Sequence, residues 1–262
     1  MANIHAKKSL GQNFLTSDKA IADIAAAARA EVGDTILEIG PGTGALTRAL
    51  LATGAHVVAV EKDDRLIPEL RTTFADEIAA GRLDLVHGDA LELDLSAHGL
   101  VPGAYILAAN IPYYITGLII RKFFSRAHLP KRAVLLVQKE VAERITAKEG
   151  KGSIVSIAIR AYGTPEIVRQ VPRGMFTPSP SVDSAVLLVA NIADPFSSEN
   201  EELFFFDTLR KGFSHKRKLL ASNLDCGQDI LKACTIDTKA RAEDLSAADW
   251  HSLCAHLLEQ PS

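Results

Sequence analysis

Apolar residues occur in this chain in two rhythms. Short unbroken apolar runs, of the kind left by strands buried on both faces, lie at 35–39, 56–60, 83–87, 105–109 and 133–137. Helical spacing separates them: an Ala-rich helix over 21–30 with Thr16, Ser17 or Asp18 as its N-cap, a second helix through Leu51, and another through about Lys148. The stretch 153–161, opened by Lys151-Gly152, is apolar on one side and predicts a helix; 166–171 and 184–190 predict a closing pair of antiparallel strands. Strands alternating with helices point to an α/β doubly wound sheet. A composition break at 194–200 places a boundary between a first domain, 1–196, and a second, 197–262. Beyond it the pattern is helical. At about 100° per residue over 205–224, Phe205, Phe206, Leu209, Phe213, Leu219, Leu220 and Leu224 share one arc. Arg210, Lys211, His215, Arg217 and Lys218 share the opposite arc, while Lys216 lands among the apolar residues. The segment 241–258, with Leu245, Trp250, Leu253 and Leu257, predicts a helix covering this one.

Composition changes this picture little. The chain has 262 residues, 47% hydrophobic and 23% charged, ordinary for a globular protein of one large domain or one domain plus a small one. No apolar run approaches a bilayer span, and the positively charged start is followed by no hydrophobic segment of a secretory signal. Cys226, Cys234 and Cys254 are odd in number and widely spaced, forming neither a zinc pattern nor a disulfide framework; a reducing cytoplasm is the expected location. Net charge is −3, so nothing global announces a nucleic-acid partner. Locally, Arg210, Lys211, Lys216, Arg217 and Lys218 cluster with no acid between them, which predicts a phosphate-facing surface.

Candidate chemistry collects at the carboxyl ends of the predicted strands, where open α/β sheets bind ligands. The first strand leads into Gly40-Pro41-Gly42-Thr43-Gly44, a turn whose backbone can approach a ligand closely. Gly40, Gly42 and Ala45 also satisfy the loose dinucleotide fingerprint G-x-G-x-x-A. Glu61 ends the second strand, where a carboxylate accepts from ribose hydroxyls; Asp89, in Gly88-Asp89-Ala90, can accept from an adenine amine. Asn110-Ile111-Pro112-Tyr113 follows the fourth strand. An exocyclic amine on a heteroaromatic ring is a poor nucleophile because its lone pair is delocalised. The Asn110 side-chain oxygen and the Ile111 carbonyl could engage its two N–H groups and aim that lone pair, with Pro112 stiffening the turn and Tyr113 stacking on the ring. A dehydrogenase needs neither Asp89 nor this turn, so S-adenosylmethionine is the favoured cofactor. In Met175-Phe176-Thr177-Pro178-Ser179-Pro180, Phe176 either covers the other face of the base or packs in the core. The arm Ser9–Leu15, at 9–15, reads on composition alone as a segment packed on the domain.

Taken in order, Gln12-Asn13-Phe14-Leu15, Glu38 through Gly44, Glu61, Gly88-Asp89-Ala90, Asn110 through Tyr113, and Phe176-x-Pro178-x-Pro180-x-Val182-Asp183-Ser184 resemble the ribosomal RNA adenine dimethyltransferases. The tail, Phe205-Phe206-Asp207-x-x-Arg210-x-x-Phe213-x-x-Lys216-Arg217-Lys218-x-Leu220 with Arg241-Ala242-Glu243-Asp244-Leu245, resembles the small-subunit members. The resemblance implies a Rossmann-like class I SAM-dependent methyltransferase domain with a small C-terminal helical domain. It implies a cofactor site using Asn13, Leu15, Gly40, Glu61, Asp89 and Asn110, a target adenine held between Tyr113 and Phe176, and RNA contacts from Arg210, Lys211, Arg217 and Lys218. The implied partner is small-subunit ribosomal RNA in a 30S precursor, met by a monomer with no membrane. Two departures stand out: 149–156 is short and unusual in wording, which affects RNA contacts near Lys151, and Ile111 replaces a more usual Leu, a minor change where only the carbonyl matters. Rival readings are a large-subunit resistance methylase, an inactive ribosome-assembly or transcription factor, and, more remotely, a nicotinamide dehydrogenase.

Overall fold

The structure is a computed structural model and describes residues 6–7, 11–147 and 152–259. In chain order the first half comprises β1 (Phe14–Leu15), α1 (Asp18–Ala28), β2 (Thr35–Ile39), α2 (Ala45–Leu51), β3 (His56–Glu61), α3 (Ile67–Thr73), α4 (Ala75–Ala79), β4 (Leu83–His87) and β5 (Ile106–Asn110). Then come α5 (Thr116–Phe123), β6 (Arg132–Gln138), α6 (Lys139–Thr146), α7 (Ile154–Tyr162), β7 (Thr164–Val171), β8 (Phe176–Thr177) and β9 (Ser184–Ala190). The chain closes with α8 (Glu199–Gly212), α9 (Leu220–Leu224), α10 (Gln228–Ala233) and α11 (Ala247–Leu258).

The main sheet has the order β4-β3-β2-β5-β6-β9-β7. β4, β3, β2, β5 and β6 run parallel, while β9 is antiparallel to both β6 and β7. Successive residues of each parallel strand feed opposite apolar layers, which is why these strands read as unbroken runs. Leu37, Val58, Leu107 and Leu135 face one layer; Ile36, Val57, Ile106 and Val134 face the other. β7 alternates exposed and half-buried positions, as an edge strand can. The expected strands are all present, and the expected helix at 153–161 is α7, capped reciprocally by Ser153 and Ser156. Ser17 is the N-cap of α1.

The C-terminal pattern requires a correction. The single helix expected over 205–224 is broken: α8 ends at Gly212 and α9 begins at Leu220. A β-carbon on Gly212 would sit 2.3 Å from the Trp250 ring, so only glycine lets α11 approach there. Asn223 then donates its amide to the carbonyls of Gly212 (2.6 Å) and His215 (3.1 Å), satisfying groups that the helix end leaves free. One angular projection across this break has no meaning, and this removes the anomaly of Lys216. The helix expected over 241–258 is shorter, α11 following a single 3₁₀ turn at Ala242–Asp244, and α10 was not anticipated. The break at 194–200 covers the turn before α8 and that helix's first two residues, with Ser198 as N-cap. Beyond that turn Phe205, Leu209, Trp250 and Leu253 join the same apolar layer as Ile157 and Tyr162 of α7.

Candidate active site

A pocket opens across the carboxyl ends of β2, β3, β4 and β5. It is lined by Gly40, Pro41 and Gly42 after β2, Glu61 and Lys62 at β3, Gly88 and Asp89 at β4, and Asn110 to Ile115 at β5. Gly11 to Leu15 and Phe176 line its remaining side. The turn after β2 depends on glycine for two separate reasons. Gly42 has φ +59°, and a β-carbon there would press on the Phe14 ring at 3.1 Å; Gly44 has φ +83° and Phe74 within 2.5 Å of that position. The backbone of this turn is thereby free to lie against a bound group.

Two buried carboxyls lie beside it. Glu61 accepts from the backbone N–H of Gly42 (3.0 Å) and of Asp63 (2.8 Å). Burial pushes its pKa up, and these backbone donors pull against the shift. Glu38, within β2, is completely buried, and none of the described groups reaches its two carboxyl oxygens in hydrogen-bonding geometry. Burial drives its pKa up to about 8, with the neighbouring Thr47 hydroxyl opposing the rise and the Glu61 charge adding to it. Asp89 accepts from the backbone N–H of Leu91 (2.9 Å) and pairs with the exposed Lys62 ammonium (2.7 Å). Burial would raise its pKa, but the Lys62 hydrogen bond and charge win and hold it low. The polar donors and acceptors of this pocket, with its glycine-floored turn, fit a nucleoside-bearing cofactor of the S-adenosylmethionine type.

At the tip of β5, Asn110 donates its amide N–H to the Asn13 carbonyl (3.3 Å). Its Oδ1 takes no hydrogen bond from the described residues. The hydrogen bonds of the following turn run from Ile115 N–H to Pro112 and from Thr116 N–H to Tyr113, so the Ile111 carbonyl is not consumed by them. Tyr113 is half-buried and its hydroxyl meets Ser184 Oγ at 2.7 Å. Its ring lines both this pocket and a neighbouring cleft that runs past Thr116, Ile154 and Arg144 to Phe213 and Lys216. Phe176 is only 5% exposed; it belongs to the apolar layer and at the same time walls the pocket. Of the two alternatives framed for it, packing in the core is the one observed, at a position that also borders the pocket.

The arm at 11–15 is more than a packed segment. β1 pairs with β8 through Phe14 opposite Thr177 and Leu15 opposite Phe176, and Asn13 Nδ2 bonds the Gly11 carbonyl at 3.1 Å. Asn13, Leu15, Gly40, Glu61, Asp89, Asn110, Ile111, Pro112, Tyr113 and Phe176 thus surround one cavity. The four basic residues expected to meet RNA lie elsewhere. Arg210 and Lys211 occupy the last turn of α8, where the helix dipole favours cations, and Arg217 and Lys218 sit exposed in the turn before α9. Arg210 is paired with Asp207 one turn back, so its charge is partly compensated, contrary to the sequence expectation. Lys151 lies outside the described residues. The sequence did not mark Asp63 and Glu38 as buried acids next to the pocket's strands; an acid two residues beyond Glu61 and an acid inside an apolar strand were the available signals.

Comparison with known proteins agrees with this fold. A model of the family described as ribosomal RNA adenine dimethylase matches residues 3–259. A ribosomal RNA small subunit methyltransferase A of Dehalococcoides mccartyi is 38% identical over 98% of this chain and 90% of its own length. The protein of that name from Geobacter sulfurreducens is 37% identical over 97% of this chain and 96% of its own. Among solved structures, a dimethyladenosine transferase from Plasmodium falciparum superposes with a TM-score of 0.78 at 28% identity, covering 92% of this chain and 95% of that one. A 23S rRNA methyltransferase, ErmE, shares the fold with a TM-score of 0.74 at 24% identity over 94% of this chain and all of its own. An α/β methyltransferase sheet carrying this pocket, matched over nearly its whole length, places the chain in the ribosomal RNA adenine dimethylase family.

Proposed function

We propose that this protein transfers methyl groups from S-adenosylmethionine to the N6 amine of adenines, twice on each target base and on two adjacent bases, in small-subunit ribosomal RNA. Support comes first from Asn110, which lines the pocket with Tyr113 and whose amide nitrogen is engaged by the Asn13 carbonyl, so that its oxygen has no partner among the described residues. The relatives named for small-subunit methylation supply the substrate class. S-adenosylmethionine supplies a methyl on a positively charged sulfur. Glu61 accepts from the ribose hydroxyls, Asp89 from the adenine amine of the cofactor, and Asn13, Leu15 and Gly40 complete that cradle. Tyr113 and Phe176 flank the target adenine once it has left its stack. Asn110 Oδ1 and the Ile111 carbonyl accept its two N–H groups, turning the nitrogen lone pair toward the methyl carbon. Bound there, the cofactor would supply an electrophilic methyl with a neutral thioether as leaving group, and the amine, cationic once methylated, would give up its proton to water. No strong base is required, and catalysis is largely positioning.

Arg210, Lys211, Arg217 and Lys218 serve as phosphate contacts on a C-terminal helical unit, 197–262, appended to the catalytic unit, 1–196. The protein works as a monomer in the cytoplasm on a 30S precursor; among the described residues no helix is long and apolar enough to cross a membrane. Incubating unmethylated small and large ribosomal subunits with labelled cofactor and mapping the labelled nucleotides tests the reading. Dimethyladenosine in the small subunit alone is expected; label confined to the large subunit, or none, overturns it.

A further inference from the structure

Asp63 stands outside the pocket lining, two residues past Glu61, yet its side chain is fully buried with 0% exposure. Its carboxylate gathers an unusual set of donors. Oδ2 accepts from Gln12 Nε2 (2.8 Å) and Arg65 Nη2 (2.6 Å), Oδ1 from Arg65 Nε (2.9 Å), and the Lys7 ammonium lies 3.6 Å away. The Arg65 hydrogen bonds, against the opposing effect of burial and with help from Gln12, hold this carboxyl far below the usual carboxylate range. Burying a charge this deeply is costly unless it is well paired, and the arrangement ties down something specific: the arm that carries Gln12 and Asn13.

The arm matters because of an ambiguity in asparagine. A half-turn about the last side-chain bond exchanges its oxygen and its NH₂ with almost no change in shape. Accepting an amine requires the oxygen to face the substrate, so a neighbour has to select that orientation. The Asn13 carbonyl does so by taking the Asn110 N–H. That carbonyl is itself held from two sides. Downstream, β1 pairs with β8 and Thr16 N–H bonds the Met175 carbonyl (2.9 Å). Upstream, Gln12 is clamped between Asp63 through its Nε2 and the Lys7 N–H (2.7 Å) through its Oε1. We infer that Asp63 is a positioning residue for Asn110: by clamping Gln12 it fixes the Asn13 carbonyl, which keeps Asn110 Oδ1 turned toward the substrate amine. The inference rests on the reading of Asn110 given above.

The test uses the full-length chain with three variants, Gln12→Ala, Asp63→Asn, and the swap Asp63→Asn with Gln12→Glu, which restores a hydrogen bond of reversed polarity. With unmethylated small subunits as substrate, each single variant is expected to lower kcat about 10- to 100-fold, the scale of a small misplacement in a reacting site. KM for the subunit stays within about threefold, kcat falls by a larger factor than the cofactor Kd rises, and the swap recovers most of the loss, as coupling between the two positions requires. Independently of activity, the Asn110 side-chain amide resonance in RNA-free protein, assigned by its loss in Asn110→Asp, should shift in Gln12→Ala and return in the swap. A loss of turnover matched by an equal weakening of cofactor binding, or a swap without recovery, overturns the inference. So does an unmoved Asn110 resonance in an active enzyme. A coupled resonance in a protein that methylates no ribosomal adenine overturns the functional reading alone.

Discussion

Glu38 and Glu61, on adjacent strands, are two buried acids of different character, and only Glu61 lines the pocket. Glu61 has two backbone donors, whereas Glu38 has none among the described residues and its carboxyl is pushed up to about 8. Between the ordinary glutamate value of 4.5 and about 8, the cofactor-free protein keeps a proton that the unfolded chain has released. Stability therefore falls as pH rises through that window. Thermal melts of the cofactor-free protein should show this decline, and Glu38→Gln should flatten it and be the more stable form above pH 8; an unchanged profile would count against a protonated Glu38. The neighbouring positions make a contrasting pair. Asn110→Ala should leave cofactor affinity within a few-fold but reduce turnover roughly 10²- to 10³-fold, as loss of one aligned transition-state contact does elsewhere. Glu61→Ala should instead weaken cofactor binding roughly tenfold or more, the worth of a hydrogen bond to a charged acceptor. Isothermal titration with the cofactor and steady-state kinetics on subunits separate the two.

At the scale of elements, the break between α8 and α9 governs how the basic residues are displayed. Lys216, Arg217 and Lys218 are carried on an exposed turn whose ends are fastened by Asn223, rather than spread along one helix face. Arg210 stays on α8 with Asp207 as its partner. Replacing Arg217 and Lys218 by alanine should therefore weaken RNA binding and reduce the salt dependence of the association constant by roughly one unit per lost phosphate contact. Arg210→Ala should change both quantities less. Binding titrations at several salt concentrations decide this, and equal effects at all three positions would remove the distinction drawn from the ion pair.

Across the whole molecule, the C-terminal helices and the sheet are joined by a buried polar contact as well as by apolar surface. Glu202 of α8 accepts from the Tyr162 hydroxyl at the end of α7 and from the Arg126 N–H (3.0 Å). Phe196 packs against the Tyr162 and Phe205 rings beside this contact, and Arg126 adds an ion pair to Asp194 at 3.1 Å. Tyr162→Phe removes one donor from a carboxylate that stays buried, so it should destabilise the protein by about 1–3 kcal/mol in urea unfolding. A loss near zero would mean that the apolar layer alone docks these helices.

Much of the sheet was legible in advance because a strand buried on both faces leaves an unbroken apolar run, and a ligand turn leaves its glycines and strand-end acids in plain view. Gly42, Glu61, Asp89 and Asn110 could be picked out without a structure for that reason. Local patterning could not reveal that Trp250 lies over Gly212 and ends α8 there, since the contact joins residues far apart in sequence. Nor could it reveal that Gln12 reaches Asp63, or that the Asn13 carbonyl accepts from Asn110, 97 residues along the chain. The residue types that a methyl-transfer site needs are written along the chain. The direction in which each side chain points was decided only when distant segments packed together, because a hydrogen bond depends on where its two partners meet.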